Sequence, residues 1–75
     1  MTITLLGRPG CHLCDDAEAL LRAAGHEVDR VNVDGDDALV AEYGLRIPVL
    51  LDARGVILAE GLITPADVHQ LATGD

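Results

Sequence analysis

The chain has neither phenylalanine nor tryptophan, and Tyr43 is its single aromatic residue. Its interior must therefore be packed from Leu, Ile, Val and Ala, and it offers no row of rings on which bases can stack. Lysine is missing as well. The five basic residues are all arginine, set against thirteen acidic ones, for a formal net charge of −8. An acidic chain without a basic stripe suits neither nucleic acid nor an anionic membrane surface, so neither is expected as a partner. Acidity mostly reports solubility and names no partner by itself. Long apolar runs are absent too: residues 2–6, Thr-Ile-Thr-Leu-Leu, are too few for a signal-peptide core or a membrane span. The expected setting is the cytoplasm and the expected state a monomer.

At 75 residues and 49% hydrophobic content, the chain reads as one domain, 1–75, with enough apolar material for a small two-layer fold. It has only two cysteines, Cys11 and Cys14, both in one Cys-x-x-Cys motif. In a reducing compartment such a pair is more often catalytic, redox-sensing or metal-binding than a structural staple.

Residues 2–6 predict a strand, broken by Gly7-Arg8-Pro9-Gly10. From Leu13 the apolar positions Leu13, Ala17, Leu20, Leu21 and Ala24 follow helical spacing. Asp15, Asp16 and Glu18 favour the helix N-terminus, and Gly25 is placed to stop it. Val28, Val31 and Val33 suggest a second strand, and Asp34-Gly35-Asp36-Asp37 a turn into a short helix, Ala38 to Tyr43, ended by Gly44. Residues 47–51 and 56–59 read as two strands joined by Asp52-Ala53-Arg54-Gly55, a hairpin connection with a late glycine. Thr64-Pro65-Ala66-Asp67 has a capping threonine, a proline suited to the first helical position and an acid that can reach back, opening a last helix to about Thr73. The order is β-α-β-α-β-β-α. The first two strands, joined by a crossover, must be parallel and the hairpin antiparallel, which makes an α/β fold with a mixed four-stranded sheet.

Placement gives the cysteine pair its meaning. Two helical residues three apart hold their Cβ atoms about 5–6 Å apart, whereas a disulfide needs about 3.5–4.5 Å. The bridge closes easily only if Cys11 sits at the helix cap, off the regular spiral, with Cys14 one turn inside. Pro9-Gly10 supplies the bend. At the cap, unpaired backbone N–H groups and the positive end of the helix dipole favour thiolate over thiol. Cys11 is then the expected nucleophile and Cys14 the more buried resolving thiol, which displaces a mixed disulfide formed at Cys11. With one such motif and no second pair, a four-ligand structural zinc site is not expected.

The whole chain resembles the glutaredoxin branch of the thioredoxin fold. The element order, Cys11-x-x-Cys14 and a proline opening the third strand at Ile47-Pro48 carry the resemblance, and Arg8 stands where glutaredoxins usually have a Lys. The run from Gly7 to Cys14 looks closest to small bacterial glutaredoxin-like proteins. The resemblance implies a cis Pro48 lying against the cysteines and an Ile47 backbone that pairs with an extended peptide or with glutathione. It implies substrate-binding roles for Arg8, Ile47, Pro48 and Gly61, disulfides of proteins or small molecules as substrates, and no cofactor beyond electrons from glutathione or a thioredoxin-type system. The chain departs from the family in having His12-Leu13 between the cysteines, Arg46-Ile47 before the proline, and Gly61 alone where a Gly-Gly and acidic pair helps hold glutathione.

Other readings remain beside this one. His12, when protonated, can stabilise a neighbouring thiolate and so tune the pair, or it can be a solvated first-turn residue. Arg8 and Arg46 can attract an anion or be solvated. The 34–37 acids lack the later ligands of a calcium loop, so a turn and helix cap is expected there. His26 and His69 read as surface residues and Tyr43 as a packing residue. The function expected is a dithiol–disulfide oxidoreductase. A metal or iron–sulfur module using Cys11 and Cys14, and a fold-only interaction module, are the alternatives.

Overall fold

The computed structural model describes residues 2–73. Strand β1 (Thr2–Gly7) leads to helix α1 (His12–Ala23) and strand β2 (Glu27–Asn32). A single 3-10 turn, Val33–Gly35, precedes helix α2 (Asp37–Tyr43), and strands β3 (Val49–Leu51) and β4 (Ile57–Glu60) precede helix α3 (Pro65–Thr73). The sheet order is β2-β1-β3-β4. β1 and β2 run parallel, with Ile3 opposite Val28 and Gly7 opposite Asn32. β3 runs antiparallel to both β1 and β4. The expected mixed four-stranded sheet is present, with β1 inside it.

β1 sends buried apolar side chains to both faces, Ile3 and Leu5 to one and Leu6 to the other. Ile3 and Leu5 pack with Ala17, Leu21, Leu50, Ile63 and Val68, the core between the sheet and helices α1 and α3. Leu6 points the other way, into a smaller cluster with Val33 and Val49 that Leu39 and Tyr43 of α2 help cover. Alternation along β3 repeats the pattern, with Leu50 in the first cluster and Val49 in the second.

Several local details differ from the sequence reading. Val33 belongs to the 3-10 turn, not to β2, and is fully buried there. β3 starts at Val49, two residues late, because Ile47 and Pro48 form a loop. β4 starts at Ile57, with Asp52 organising the hairpin: its Oδ1 accepts from the N–H groups of Arg54 at 2.8 Å and Val56 at 2.9 Å. The buried stripe of α1 is Cys14, Ala17 and Leu21, whereas Leu13 and Ala24 are exposed.

The ends of α1 and α3 are as the sequence implies. Gly25, with φ +90°, closes α1 in a Schellman motif: its N–H donates to Arg22 O at 3.0 Å and that of His26 to Leu21 O at 3.1 Å. His26, expected at the surface, is half-buried, with its Nε2 buried. Thr64 and Asp67 cap α3 reciprocally, with Thr64 N–H donating to Asp67 Oδ2 at 3.0 Å and Asp67 N–H to Thr64 Oγ1 at 3.2 Å. Asp36 caps α2 through Ala38 N–H at 2.8 Å. Among the described residues, no helix is long and apolar enough to cross a membrane.

Candidate active site

Between β1 and α1 the chain makes one tight turn, closed by a 3.2 Å bond from Cys11 N–H to Arg8 O. Pro9 and Gly10 fill its centre. Gly10 has φ +79°, the left-handed value a type II turn requires at its third position and one that glycine adopts without a Cβ penalty. This delivers Cys11 as the N-cap of α1, with extended φ and ψ of −83° and 106°. The Cys11 Sγ accepts from Cys14 N–H at 3.2 Å, in the place a serine or aspartate oxygen holds at ordinary caps.

Cys11 and Cys14 are joined by a disulfide with their Cα atoms 5.2 Å apart. Cys14 is fully buried and lies against the backbone of Gly7. Cys11 is only half-buried. Of the two cysteines, Cys11 is therefore the more open to solvent.

The Ile47-Pro48 peptide bond is cis. Leu6 is paired with Val49 in the antiparallel β1–β3 ladder, and one further step in that register brings Pro48 beside Gly7. Gly61, at φ +76°, closes over the same loop, its N–H donating to Pro48 O at 2.8 Å and to Arg46 O at 3.2 Å. Between those two carbonyls, the Ile47 backbone takes no part in the backbone hydrogen bonds made among the described residues. Its side chain is held in the smaller core cluster.

The charged candidates are drawn into pairs. Arg8 Nη2 lies 3.2 Å from Asp34 Oδ1, and Arg8 Nε is buried without a partner among the described residues. His12 Nε2 lies 3.2 Å from Asp16 Oδ2, one turn along α1, on a side chain 86% exposed. Arg46 bridges Glu60 at 2.6 Å and Glu42 at 3.4 Å, with its guanidinium 5.4 Å from the Tyr43 ring centre. Tyr43 thus stacks on a cation as well as packing. The hydrogen bond from Arg46 holds the Glu60 carboxyl below its ordinary range.

Arg30 carries no motif, yet it ties this site together. From β2 its Nη1 donates to Glu18 at 2.8 Å and Asp15 at 3.0 Å, and its Nη2 to Arg8 O at 3.2 Å. That carbonyl also accepts the Cys11 N–H, so Arg30 fixes the turn against α1. Hydrogen bonds from Arg30 and then Arg22 hold the Glu18 carboxyl below its usual value. The sequence signal was there in the strand period: Arg30 is two residues from Val28, which packs into the α1 side of the core.

Among the described residues, no group of three or more His, Cys, Asp or Glu side chains is placed to hold a metal ion.

No curated protein matches the chain. Among solved structures it is similar to a structural-genomics target protein from X. campestris seen by X-ray crystallography, with 34% identity over 97% of each chain and a TM-score of 0.84. A Nitrosomonas europaea protein solved by NMR is 30% identical over 95% of this chain and 88% of that one, at a TM-score of 0.79. A glutaredoxin from Brucella melitensis shares the fold at 23% identity, over 99% of this chain and 80% of that one, with a TM-score of 0.67. The family model described as Glutaredoxin-like domain (DUF836) matches residues 2–73. Fold, cysteine geometry and family match agree, and the chain belongs to this glutaredoxin-like family of the thioredoxin-fold superfamily.

Proposed function

We propose that the protein is a dithiol–disulfide oxidoreductase in which Cys11 attacks and Cys14 resolves. The observation that carries this reading is the asymmetry of the pair: Cys11 caps α1 and is half-open to solvent, whereas Cys14 is fully buried one turn inside. In the reduced protein a Cys11 thiolate faces the N–H of Cys14 and the positive end of the α1 dipole, both of which favour its charge.

The Cys11 thiolate attacks one sulfur of a substrate disulfide. A Cys11–substrate S–S bond forms, the substrate S–S bond breaks, and the departing thiolate takes up a proton. Cys14, having lost its own proton, then attacks Cys11 Sγ, releasing the second substrate thiolate and leaving the Cys11–Cys14 disulfide. Two electrons pass to the substrate, and a thiol reductant, either glutathione or a thioredoxin-type dithiol, restores the pair. Arg8, Ile47, Pro48 and Gly61 bound the receiving cleft in this reading. Ile47 offers free backbone groups to an extended substrate, and Gly61 braces the loop that presents them. His12, next to Cys11 in the chain and 3.2 Å from Asp16 Oδ2 through its Nε2, is the tuning residue of this reading.

The test is to equilibrate the protein across glutathione redox buffers, trap free thiols and weigh the products. Reversible loss of both thiols together is expected. A pair that never re-forms reversibly would exclude the redox role.

A further inference from the structure

α1 and the segment after Gly61 leave a groove of about 410 Å³, lined by Leu13, Asp16, Ala19, Leu20, Leu62 and Ile63. Helical spacing would place Leu13 in the core, but the core takes Cys14, Ala17 and Leu21 instead. Leu13 is 42% exposed and Leu62 68% exposed. One of these leucines lies between the two cysteines, and the other follows the glycine that braces the Pro48 loop. Leu13 thus carries one wall of the groove onto the helical turn that bears both cysteines.

The charges around it select the occupant. The chain has no lysine, and its five arginines all meet carboxylates: Arg8 meets Asp34, Arg22 and Arg30 share Glu18, Arg46 meets Glu60 and Arg54 meets Asp52. None of the five lines the groove, whose one charged lining residue is Asp16. The groove itself is edged by Asp16, whose partner is the imidazole of His12, in a protein of net charge −8. An anion in the groove meets no guanidinium among the lining residues, whereas a cation is attracted by Asp16 and by the field of the whole molecule.

We infer that this groove receives a large aliphatic side chain next to the disulfide cysteine of a positively charged polypeptide, making basic protein disulfides the preferred substrates. This rests on the dithiol reading above and names its substrate class. The aliphatic side chain packs between Leu13 and Leu62, the Ile47 backbone pairs with the extended segment, and the Cys11 thiolate then performs the exchange already written. The apolar contact supplies affinity, and the charge supplies encounter rate.

Three disulfides distinguish the possibilities when mixed with the fully reduced protein: a short peptide disulfide with Leu beside Cys and flanking Lys, its counterpart with Ser and Glu at those places, and bis(2-hydroxyethyl) disulfide. Each rate constant is divided by that for dithiothreitol, which removes intrinsic reactivity. The Leu/Lys peptide is expected to be favoured over the Ser/Glu peptide by about tenfold or more, with the preference shrinking as salt rises. Leu62→Ser is expected to lower the ratio of the Leu/Lys peptide to bis(2-hydroxyethyl) disulfide by about tenfold, the worth of one buried aliphatic side chain. Equal normalised rates for all three disulfides, or an unchanged ratio in Leu62→Ser, would overturn the groove assignment while leaving the dithiol reading intact. Exchange with none of the three would overturn both.

Discussion

Cys14 rests directly on the backbone of Gly7: a Cβ at position 7 would lie 2.8 Å from Cys14 Sγ and 3.0 Å from Cys14 Cβ. Cys14 is buried and held in the disulfide, so it cannot swing aside. The last residue of β1 is thereby fixed as glycine by the second cysteine, and the β1–α1 packing distance is set at the cysteine pair itself. Gly7→Ala is expected to destabilise the oxidised protein by about 1–3 kcal/mol, as overpacking of a filled interior does. Thermal melting of the two oxidised proteins checks this, and identical melting temperatures would mean that the contact is not tight.

The Arg30 network has a pH signature. Glu18 is held below the usual glutamate range, first by the Arg30 hydrogen bond and then by Arg22. A depressed folded value contributes stability that is fully present above the unfolded value and is lost as pH falls through the folded one. Asp52, held down mainly by the Val56 N–H, and Glu60, held down by Arg46, act with the same sign. The native protein should therefore lose stability as the pH is lowered from about 5 toward 3. Arg30→Met should be less stable at neutral pH and should show a shallower acid loss, because Glu18 then returns toward its ordinary value. Denaturant titrations at several pH values measure both, and parallel curves for the two proteins would contradict the Arg30–Glu18 coupling.

The reciprocal cap of α3 is expected to matter for the site, because α3 follows the Gly61-Leu62 segment. Thr64→Ala removes the oxygen that accepts from Asp67 N–H and should cost about 0.5–2 kcal/mol. Urea unfolding gives this directly, and a loss well under that range would mean that the cap is replaced by solvent.

Much of this was legible in the sequence because the signals were local. Thr64-Pro65-Ala66-Asp67, Gly25, Asp36 and the Pro9-Gly10 turn each encode a cap or turn in their own few residues, and the cap position of Cys11 followed from disulfide reach. What the sequence left open depends on long-range pairing. Leu13 fits the same helical series as Ala17, Leu20 and Leu21, and only the packed sheet decides that Leu13 is the one left exposed. Val33 looks like a strand residue, but the 3-10 turn buries it just as well. Arg30 is distant in sequence from Arg8 and Asp15, so its bracing of the cysteine turn appears only once β2 lies beside β1. The partners that occupy Arg8 and Arg46 were invisible for the same reason.

The roles of the two cysteines can be separated by trapping. Cys14→Ser and Cys11→Ser, each reduced and then exposed to bis(2-hydroxyethyl) disulfide, are weighed intact and mapped after digestion. Attack by Cys11 predicts rapid accumulation of a mixed disulfide at Cys11 in Cys14→Ser, and slow or no modification at the buried Cys14 in Cys11→Ser. Equal trapping at both positions, or faster trapping at Cys14, would contradict the assignment of Cys11 as the nucleophile.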